Sequence, residues 1–302
     1  MKAVLGLEDG TFVVGNGFGV EGIYSGELVF TTQMTGYMEA LTDPSYAGQI
    51  LMFTYPLIGN YGVDLQNFES PEVHARGCVA REIARVPAAQ PSVAEYFEEN
   101  GLLGISGVDT RNLTIKTRTI GTLRASLIVG GEDGDEAVRR ARAVPSISDA
   151  DLIGSVSCRE PYCISGTGKR IAVIDLGVKR HILASLGYRG ADIHVFPHTA
   201  APDEVMAAKP DALFISNGPG DPRRAVDAIR CVRDLAGEMP VVGICMGIQV
   251  VALALGGETY KMKFGHRGTN QPVRYRDGSI YITTQNHGFA VDEETLPEGC
   301  VV

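Results

Sequence analysis

The sequence predicts a two-domain α/β protein, and three observations support this fold class. The length of 302 residues is typical of two domains. Short β-type runs separated by turn residues dominate the first half, whereas strands and helices alternate in the second half. We therefore expect a strand-rich mixed N-terminal domain over residues 1–148 and a linker over 149–168. A domain with an open, mostly parallel sheet should follow over 169–302.

The elements of the first domain are mostly short strands. Only two helical segments stand out there, near Val93–Asn100 and Gly134–Ala143. The clearest strand patterns are Thr11–Val14, Leu28–Thr32, Gln49–Phe53 and Leu123–Val129.

In the second domain the apolar runs alternate with amphipathic segments, which is typical of βαβ units. The predicted strands are 171–175, 192–196, 212–216, 241–244 and 280–284. The predicted helices are 178–186, 202–209, 222–236 and 246–255. In the helix 222–236, Asp221 is the expected cap, and Val226 begins the expected buried face.

Composition excludes several function classes. The charge sum of 27 − 36 = −9 disfavours generic binding to nucleic acid. No apolar run has the length of a membrane-spanning helix, and the apolar start Met1–Leu7 is too short for a signal peptide. The six cysteines include no C-x-x-C pair, so neither a disulfide framework nor a metal site is predicted. This cysteine usage favours a reduced, cytoplasmic compartment.

The sharpest motif is Gly243-Ile244-Cys245-Met246-Gly247, between an apolar strand and an apolar helix. It has the layout of a nucleophile elbow with cysteine in place of serine. A tight strand-to-helix turn needs glycine on either side of a strained nucleophile, and the helix N-terminus favours the thiolate. The amide of Met246 is then able to donate to an oxyanion. A buried core cysteine at a strand end is the alternative that this pentapeptide leaves open.

A second motif, Ser216-Asn217-Gly218-Pro219-Gly220-Asp221-Pro222, lies at another strand-to-helix junction. Gly218 and Gly220 would let the backbone approach a ligand, although such a segment is also an ordinary turn. Both motifs follow neighbouring strands of one predicted parallel sheet, at the edge where such sheets bind ligands. A third polar segment, Gln285–Phe289, follows the strand 280–284 as a loop.

These motifs carry a resemblance to known families. The cysteine elbow with Gln249, together with Asn217–Pro222, resembles the class I glutamine amidotransferases. The N-terminal half is similar to the small-chain family of glutamine-hydrolysing carbamoyl-phosphate synthases, and the match spans nearly the whole chain. The segments that carry this second similarity are Phe30–Tyr37, Leu41–Tyr46, Tyr55–Gly62, Gly107–Asn112, Lys261–His266 and Gln285–Phe289.

The resemblance implies a set of residue roles. Cys245 would attack the side-chain amide of L-glutamine and form a thioester. The amides of Gly220 and Met246 would form the oxyanion hole. The glutamine pocket would contain Gly218, Gly220, Met246, Gln249, Asn286, Gly288 and Phe289, with Ser45 reaching in from the N-terminal domain.

The sequence departs from the family pattern in two places. Ile248 replaces a histidine that is often found in this motif. The family's catalytic histidine and glutamate lie in a later segment of the type Gln-Phe-His-Pro-Glu, which does not occur before Val302. We read His287 as part of the pocket and the other five histidines as surface or packing residues. We therefore expect the whole subunit to extend beyond Val302, and this 302-residue form to be impaired.

The resemblance also implies a partner. Ammonia would pass to a large subunit that carries the ATP, magnesium and bicarbonate sites, since this sequence has no nucleotide loop or cofactor motif. The product, carbamoyl phosphate, would serve pyrimidine or arginine biosynthesis or both. A glutaminase of another synthase, or a non-catalytic regulator of a synthetase, remain as alternatives. The N-terminal half argues against a glutaminase of another synthase, and the intact elbow argues against a non-catalytic regulator.

Overall fold

A computed structural model describes residues 1–84 and 91–301 of the chain. They form two compact units. The first unit holds Met1–Ile147 together with Lys263–Asn286, and the second holds Ser148–Met262 together with His287–Val302. The segment 263–286 thus groups with the N-terminal strands, although the sequence analysis placed it in the second domain.

The first unit is built around a closed barrel. Its strands are β1 (Lys2–Leu7), β2 (Phe12–Gly19), β3 (Gly22–Thr31), β4 (Gln49–Phe53), β5 (Leu57–Ile58), β6 (Gly77–Val79), β7 (Glu82–Ile83), β8 (Leu103–Ser106) and β9 (Leu123–Val129). The barrel follows the order β1-β2-β8-β6-β4-β3-β9, and β5 pairs with β7 in a separate small sheet.

The barrel has a parallel side and an antiparallel side. The strands β3, β4, β6 and β8 run parallel to one another, and the other pairs are antiparallel. Leu5, Leu28, Ile50, Ile105 and Leu127 are fully buried within the barrel core. Burial of each such side chain contributes about 1.5–3 kcal/mol to folding.

Helices pack around the barrel. They are α1 (Tyr37–Leu41), α2 (Val93–Glu99), α3 (Thr110–Ile120) and α4 (Gly134–Ala143). The predictions of α2 and α4 are confirmed, and α2 begins with a capping box in which Ser92 and Glu95 bond each other's backbone.

The expectation of only two helical segments in this region is wrong, because α3 spans 11 residues. Its four threonines and two isoleucines have low helix propensity, so the local pattern hides it. The Asp109 side chain caps its start by accepting from the Asn112 amide at 3.0 Å. Leu113 and Thr117 are buried, so tertiary packing stabilises this helix.

The second unit contains a five-stranded sheet. Its strands are β10 (Tyr162–Ile164), β11 (Arg170–Asp175), β12 (Asp192–Pro197), β13 (Ala212–Ile215) and β14 (Val241–Gly243), in the order β10-β12-β11-β13-β14. All pairs are parallel except β10 with β12, so the prediction of an open, mostly parallel sheet is confirmed. The edge strand β10 lies within the stretch that the sequence analysis assigned to a linker.

The helices of this unit are α5 (Arg180–Tyr188), α6 (Pro202–Ala207), α7 (Val226–Leu235) and α8 (Met246–Ala254). The single helix predicted over 222–236 is wrong. Asp221 caps a short 3-10 turn, Pro222–Arg224, and Ala225 breaks the helical geometry with ψ 49° before α7 begins. Val226, expected on the buried face, is 65% exposed.

A long hairpin, β15 (Glu258–Arg274) with β16 (Ile280–Asp292), completes the chain's regular structure. The Thr32 amide donates to the Arg267 carbonyl at 3.1 Å, and the Thr122 amide donates to the Lys263 carbonyl at 2.9 Å. These bonds explain why 263–286 belongs to the first unit. The segment Gln285–Phe289, predicted as a loop, lies inside β16. No helix in the described part of the chain is long and apolar enough to cross a membrane.

Candidate active site

Cys245 has the strained backbone that the elbow motif predicts. It lies between β14 and α8 with φ 55° and ψ −112°, a conformation that residues with a side chain rarely adopt. Such strain persists only where the surrounding structure enforces it, and it is frequent at functional sites. The side chain is partly buried at the N-terminal end of α8.

The two glycines of the motif are required by close backbone contacts. A Cβ atom on Gly243 would lie 2.4 Å from the Gly247 carbonyl carbon. A Cβ atom on Gly247 would lie 2.1 Å from the Ile215 carbonyl oxygen, at the end of β13. Both distances are far below van der Waals contact, so only glycine fits at either position. The turn is therefore held against the neighbouring strand as the sequence predicts.

The Met246 amide, assigned to the oxyanion hole, begins α8. Within residues 1–84 and 91–301 this N–H has no hydrogen-bond acceptor, while the Gly247 amide donates to the Ile244 carbonyl at 2.9 Å. Unpaired amides in the first turn of a helix carry partial positive charge. The arrangement can stabilise both a thiolate on Cys245 and negative charge developing nearby.

The loop after β13 packs directly on the elbow. A Cβ atom on Gly218 would lie 2.4 Å from the Leu176 carbonyl oxygen and 3.0 Å from the Met246 sulfur. Gly220 has φ 81°, and its amide also lacks an acceptor in the described part of the chain. The structure thus brings the Gly218–Gly220 loop and the Cys245 turn together, at the carboxyl ends of adjacent parallel strands.

A buried polar network holds these strand ends. The Asp175 carboxylate, at the end of β11, accepts from the amides of Gly177 and Val178 at 2.8 and 2.7 Å. The Ser216 hydroxyl accepts from the Leu176 amide at 2.9 Å and donates to the Asn217 carbonyl. Sequence reasoning missed Asp175. A buried aspartate at a strand end, just before a glycine, is the signal that could have found it.

Gln249 and Phe289 are also brought together. The Gln249 side-chain amide donates to the Phe289 carbonyl at 2.6 Å, and both residues are buried. The His287 ring nitrogen Nδ1 lies 2.8 Å from the same carbonyl oxygen. The assignment of His287 to the pocket rather than to the catalytic base stays a prediction. Gly288, between them, is half-buried.

Ser45 and Asn286 belong to the first unit, where they share one partner. The Ser45 amide donates to Oδ1 of Asp43 at 2.9 Å, and the Asn286 side-chain amide donates to Oδ2 at 3.1 Å. Asp43 is 5% exposed, and its side chain caps the turn Pro44–Tyr46. The sequence analysis gave no role to Asp43, although Asp-Pro-Ser is a typical start of a capped turn. The contribution of Ser45 to a glutamine pocket stays a prediction.

Three other cysteines are poor nucleophiles. Burial raises the pKa of the Cys78 thiol far above its usual range. Burial and the nearby Asp175 carboxylate raise the pKa of Cys158 to about 12, and burial with Asp234 raises the pKa of Cys231 to about 11. These thiols remain protonated at neutral pH, and the thiolate is the reactive form. No cluster of metal-ligating side chains occurs among the described residues.

The sequence was compared with known families and proteins. Residues 5–127 match the family model "Carbamoyl-phosphate synthase small chain, CPSase domain". Residues 172–302 match the model "Glutamine amidotransferase class-I", which covers the parallel sheet and the elbow.

Similar proteins match over nearly the whole chain. A carbamoyl phosphate synthase small chain of Methanosarcina acetivorans is 55% identical over 98% of this chain and 84% of its own length. That of Archaeoglobus fulgidus is 48% identical over 99% of this chain and 85% of its own length. That of Caldanaerobacter subterraneus subsp. tengcongensis is 48% identical over 98% of this chain and 82% of its own length. The chain belongs to the carbamoyl phosphate synthase small chain family and carries a class I glutamine amidotransferase domain.

Proposed function

We propose that this chain hydrolyses L-glutamine through a thioester on Cys245 and delivers the ammonia for synthesis of carbamoyl phosphate. One observation carries the proposal: the strained Cys245 backbone at a helix start, with the Met246 amide and the Gly218–Gly220 loop packed beside it. A nucleophile next to unpaired backbone donors is the arrangement that acyl transfer requires. Family membership supports the same role.

The chemistry proceeds in two steps. The Cys245 thiolate forms a bond to the side-chain carbonyl carbon of glutamine, and the carbonyl oxygen becomes negatively charged. The Met246 and Gly220 amides would donate to this oxygen. Collapse of this tetrahedral intermediate breaks the carbon–nitrogen bond, and the nitrogen takes a proton from water and leaves as ammonia. Water then attacks the thioester, releasing glutamate and restoring the thiol.

The remaining assignments concern recognition and transfer. Gln249 and the β16 segment with Gly288 and Phe289 would shape the glutamine pocket, and Ser45 and Asn286 would contribute side chains. Free ammonia is mostly protonated at neutral pH, so direct delivery to a large subunit preserves its reactivity. That subunit would hold ATP, magnesium and bicarbonate, and its product would serve pyrimidine or arginine biosynthesis.

The test compares two nitrogen sources in the full gene product assembled with its large subunit. Cys245→Ser should abolish glutamine-dependent synthesis of carbamoyl phosphate and leave ammonia-dependent synthesis intact. Cys163→Ser, at an exposed cysteine on β10, serves as the matched control and should retain both activities. Glutamine-dependent synthesis by Cys245→Ser at the wild-type rate would exclude Cys245 as the nucleophile. Wild-type protein that hydrolyses no glutamine would favour a regulatory role.

A further inference from the structure

A cavity lies in the first unit, and the proposed glutaminase function does not use it. Its volume is about 510 Å³, within the range of pockets that bind small molecules. Three arginines, Arg81, Arg111 and Arg118, line it together with four threonines. None of its lining residues carries a carboxylate. In a chain with net charge −9, this concentration of positive charge is local and specific.

The barrel topology determines where the cavity lies. Thr32 follows β3, Thr54 follows β4, Arg81 follows β6 and Thr110 follows β8. These four strands are neighbours and run parallel, so their carboxyl ends meet at one end of the barrel. Loops after parallel strands are where α/β proteins bind ligands. The cavity therefore occupies a position suited to a binding site.

One face of α3 forms a wall of the cavity. Thr110, Thr114 and Arg118 are spaced four residues apart, and Arg111 and Ile115 lie on the adjoining ridge. The first residues of this helix lie in the segment Gly107–Asn112, which carries part of the family resemblance and has no role in the glutamine chemistry. This low-propensity helix is thus held in place with two arginines facing the cavity.

Among the described residues, the arginines of the cavity lack partners, whereas the Thr32 and Thr114 hydroxyls form hydrogen bonds within the first unit. Within residues 1–84 and 91–301, none of the three guanidinium groups forms an ion pair or a hydrogen bond. Thr110 is 2% exposed, and its hydroxyl has no hydrogen-bond partner in the same residues. Three like charges around one cavity repel one another, and an anion bound between them would offset that repulsion.

We propose that this cavity binds a phosphorylated small molecule through Arg81, Arg111 and Arg118. Guanidinium groups bind phosphate oxygens bidentately, and the Thr54 and Thr110 hydroxyls, which make no hydrogen bond among the described residues, supply further donors. Three positive charges match a ligand with at least two negative charges, such as a diphosphate or a phosphate ester. Pro56 and Ile115 add apolar surface to the same cavity, which suits an organic group attached to the phosphate.

Inorganic pyrophosphate serves as the probe, with calorimetric titration of the full chain in the absence of glutamine. We expect saturable binding with one site per chain. Arg111→Gln and Arg118→Gln should each weaken it about 10- to 100-fold, since each removes charge-assisted hydrogen bonds. Arg118→Lys should recover part of the loss. The control is Arg140→Gln on α4, an exposed arginine whose partner Glu136 keeps its second ion pair with Arg139. It should bind like the wild type.

Several results would overturn the proposal. Absence of saturable binding, or equal weakening in Arg140→Gln, would show that the cavity has no specific phosphate site. Succinate binding as tightly as pyrophosphate would indicate a carboxylate site instead. If pyrophosphate does not bind and the arginine variants fail to assemble with the large subunit, the arginines contact an acidic partner surface. Thermal unfolding of each variant verifies that its fold is retained, and glutaminase activity is measured separately, so failure of one proposal leaves the other testable.

Discussion

The two units place functional groups at the carboxyl ends of parallel strands, but they do so with different chemistry. In the second unit, the loops after β13 and β14 present backbone amides and one strained cysteine. In the first unit, the loops after β3, β4 and β6 and the helix α3 after β8 present guanidinium and hydroxyl groups. A backbone donor moves only when the chain moves, whereas an arginine head group has a long flexible stem. Catalysis at the elbow should therefore be sensitive to added side-chain volume, and ligand binding in the cavity should be sensitive to charge.

The largest effect should come from Gly247→Ala. The new Cβ atom would lie 2.1 Å from the Ile215 carbonyl oxygen, so α8 must move away from β13. That shift displaces the nucleophile and the Met246 amide together. We expect glutaminase activity to fall on the order of 10³-fold or more, with a loss of about 1–3 kcal/mol in the free energy of unfolding. Steady-state kinetics and thermal unfolding measure both quantities.

Gly187→Ala is the matched control, because it lies in helix α5 with nothing within 4 Å of a new Cβ atom. Alanine is the better helix former, so the free energy of unfolding should rise by about 0.5–1 kcal/mol with unchanged activity. Wild-type turnover by Gly247→Ala would show that added side-chain volume at the elbow does not limit glutaminase activity. The expected difference between the two units would then not hold.

A smaller effect is expected from Gly220→Val, which tests conformation rather than volume. The nearest atom to a new Cβ would be Leu152 Cδ1 at 3.6 Å, an ordinary contact. The cost lies in φ 81°, which a β-branched residue does not adopt without strain. Relaxation would turn the Gly220 amide away from the substrate oxygen. Loss of one oxyanion donor lowers kcat about 10²–10³-fold.

The fold should survive this change, which a thermal unfolding midpoint near that of the wild type would demonstrate. Gly237→Val is the control, since Gly237 lies beyond the end of α7 with open space around it and no positive φ. Normal kcat for Gly220→Val would remove Gly220 from the oxyanion hole. The Met246 amide would then have to serve alone.

The parallel sheet and the elbow of the second unit were predictable from the sequence because their signals are local. The strand, the turn and the helix around Cys245 are consecutive, and both glycines of the motif have the steric role expected of them. The course of Gln285–Phe289 was not predicted. Its glycine and polar residues resemble a loop, yet the strand β16, which pairs with β15, continues through them to Asp292. Pairing between strands is not encoded in one strand alone.

The first unit was less predictable because its organisation is non-local. Barrel closure joins β1 to β9, which are more than a hundred residues apart in the chain. The helix α3 forms from threonine- and isoleucine-rich sequence because Leu113 and Thr117 are buried. The arginine cavity combines residues that follow four separate strands, and an acidic overall composition conceals it. Asp43 shows the same limit, since two of its partners, Ser45 and Asn286, lie far apart in the chain.

The smallest expected effect, and the one that contrasts the two units most directly, is that of salt. The three arginines of the cavity are exposed to solvent, so ions screen their attraction for a phosphate. The screening length is about 10 Å at 0.1 M salt and about 3 Å at 1 M. We expect the affinity for pyrophosphate to fall on the order of tenfold between 0.05 and 0.5 M potassium chloride. Glutamine has no net charge, and the proposed oxyanion donors are uncharged backbone amides. The KM for glutamine should therefore change by less than about twofold over the same range.

Calorimetry for pyrophosphate and steady-state kinetics for glutamine, in matched buffers, measure the two responses to salt. Equal salt dependence of both ligands would mean that the units do not differ in the way their chemistry indicates.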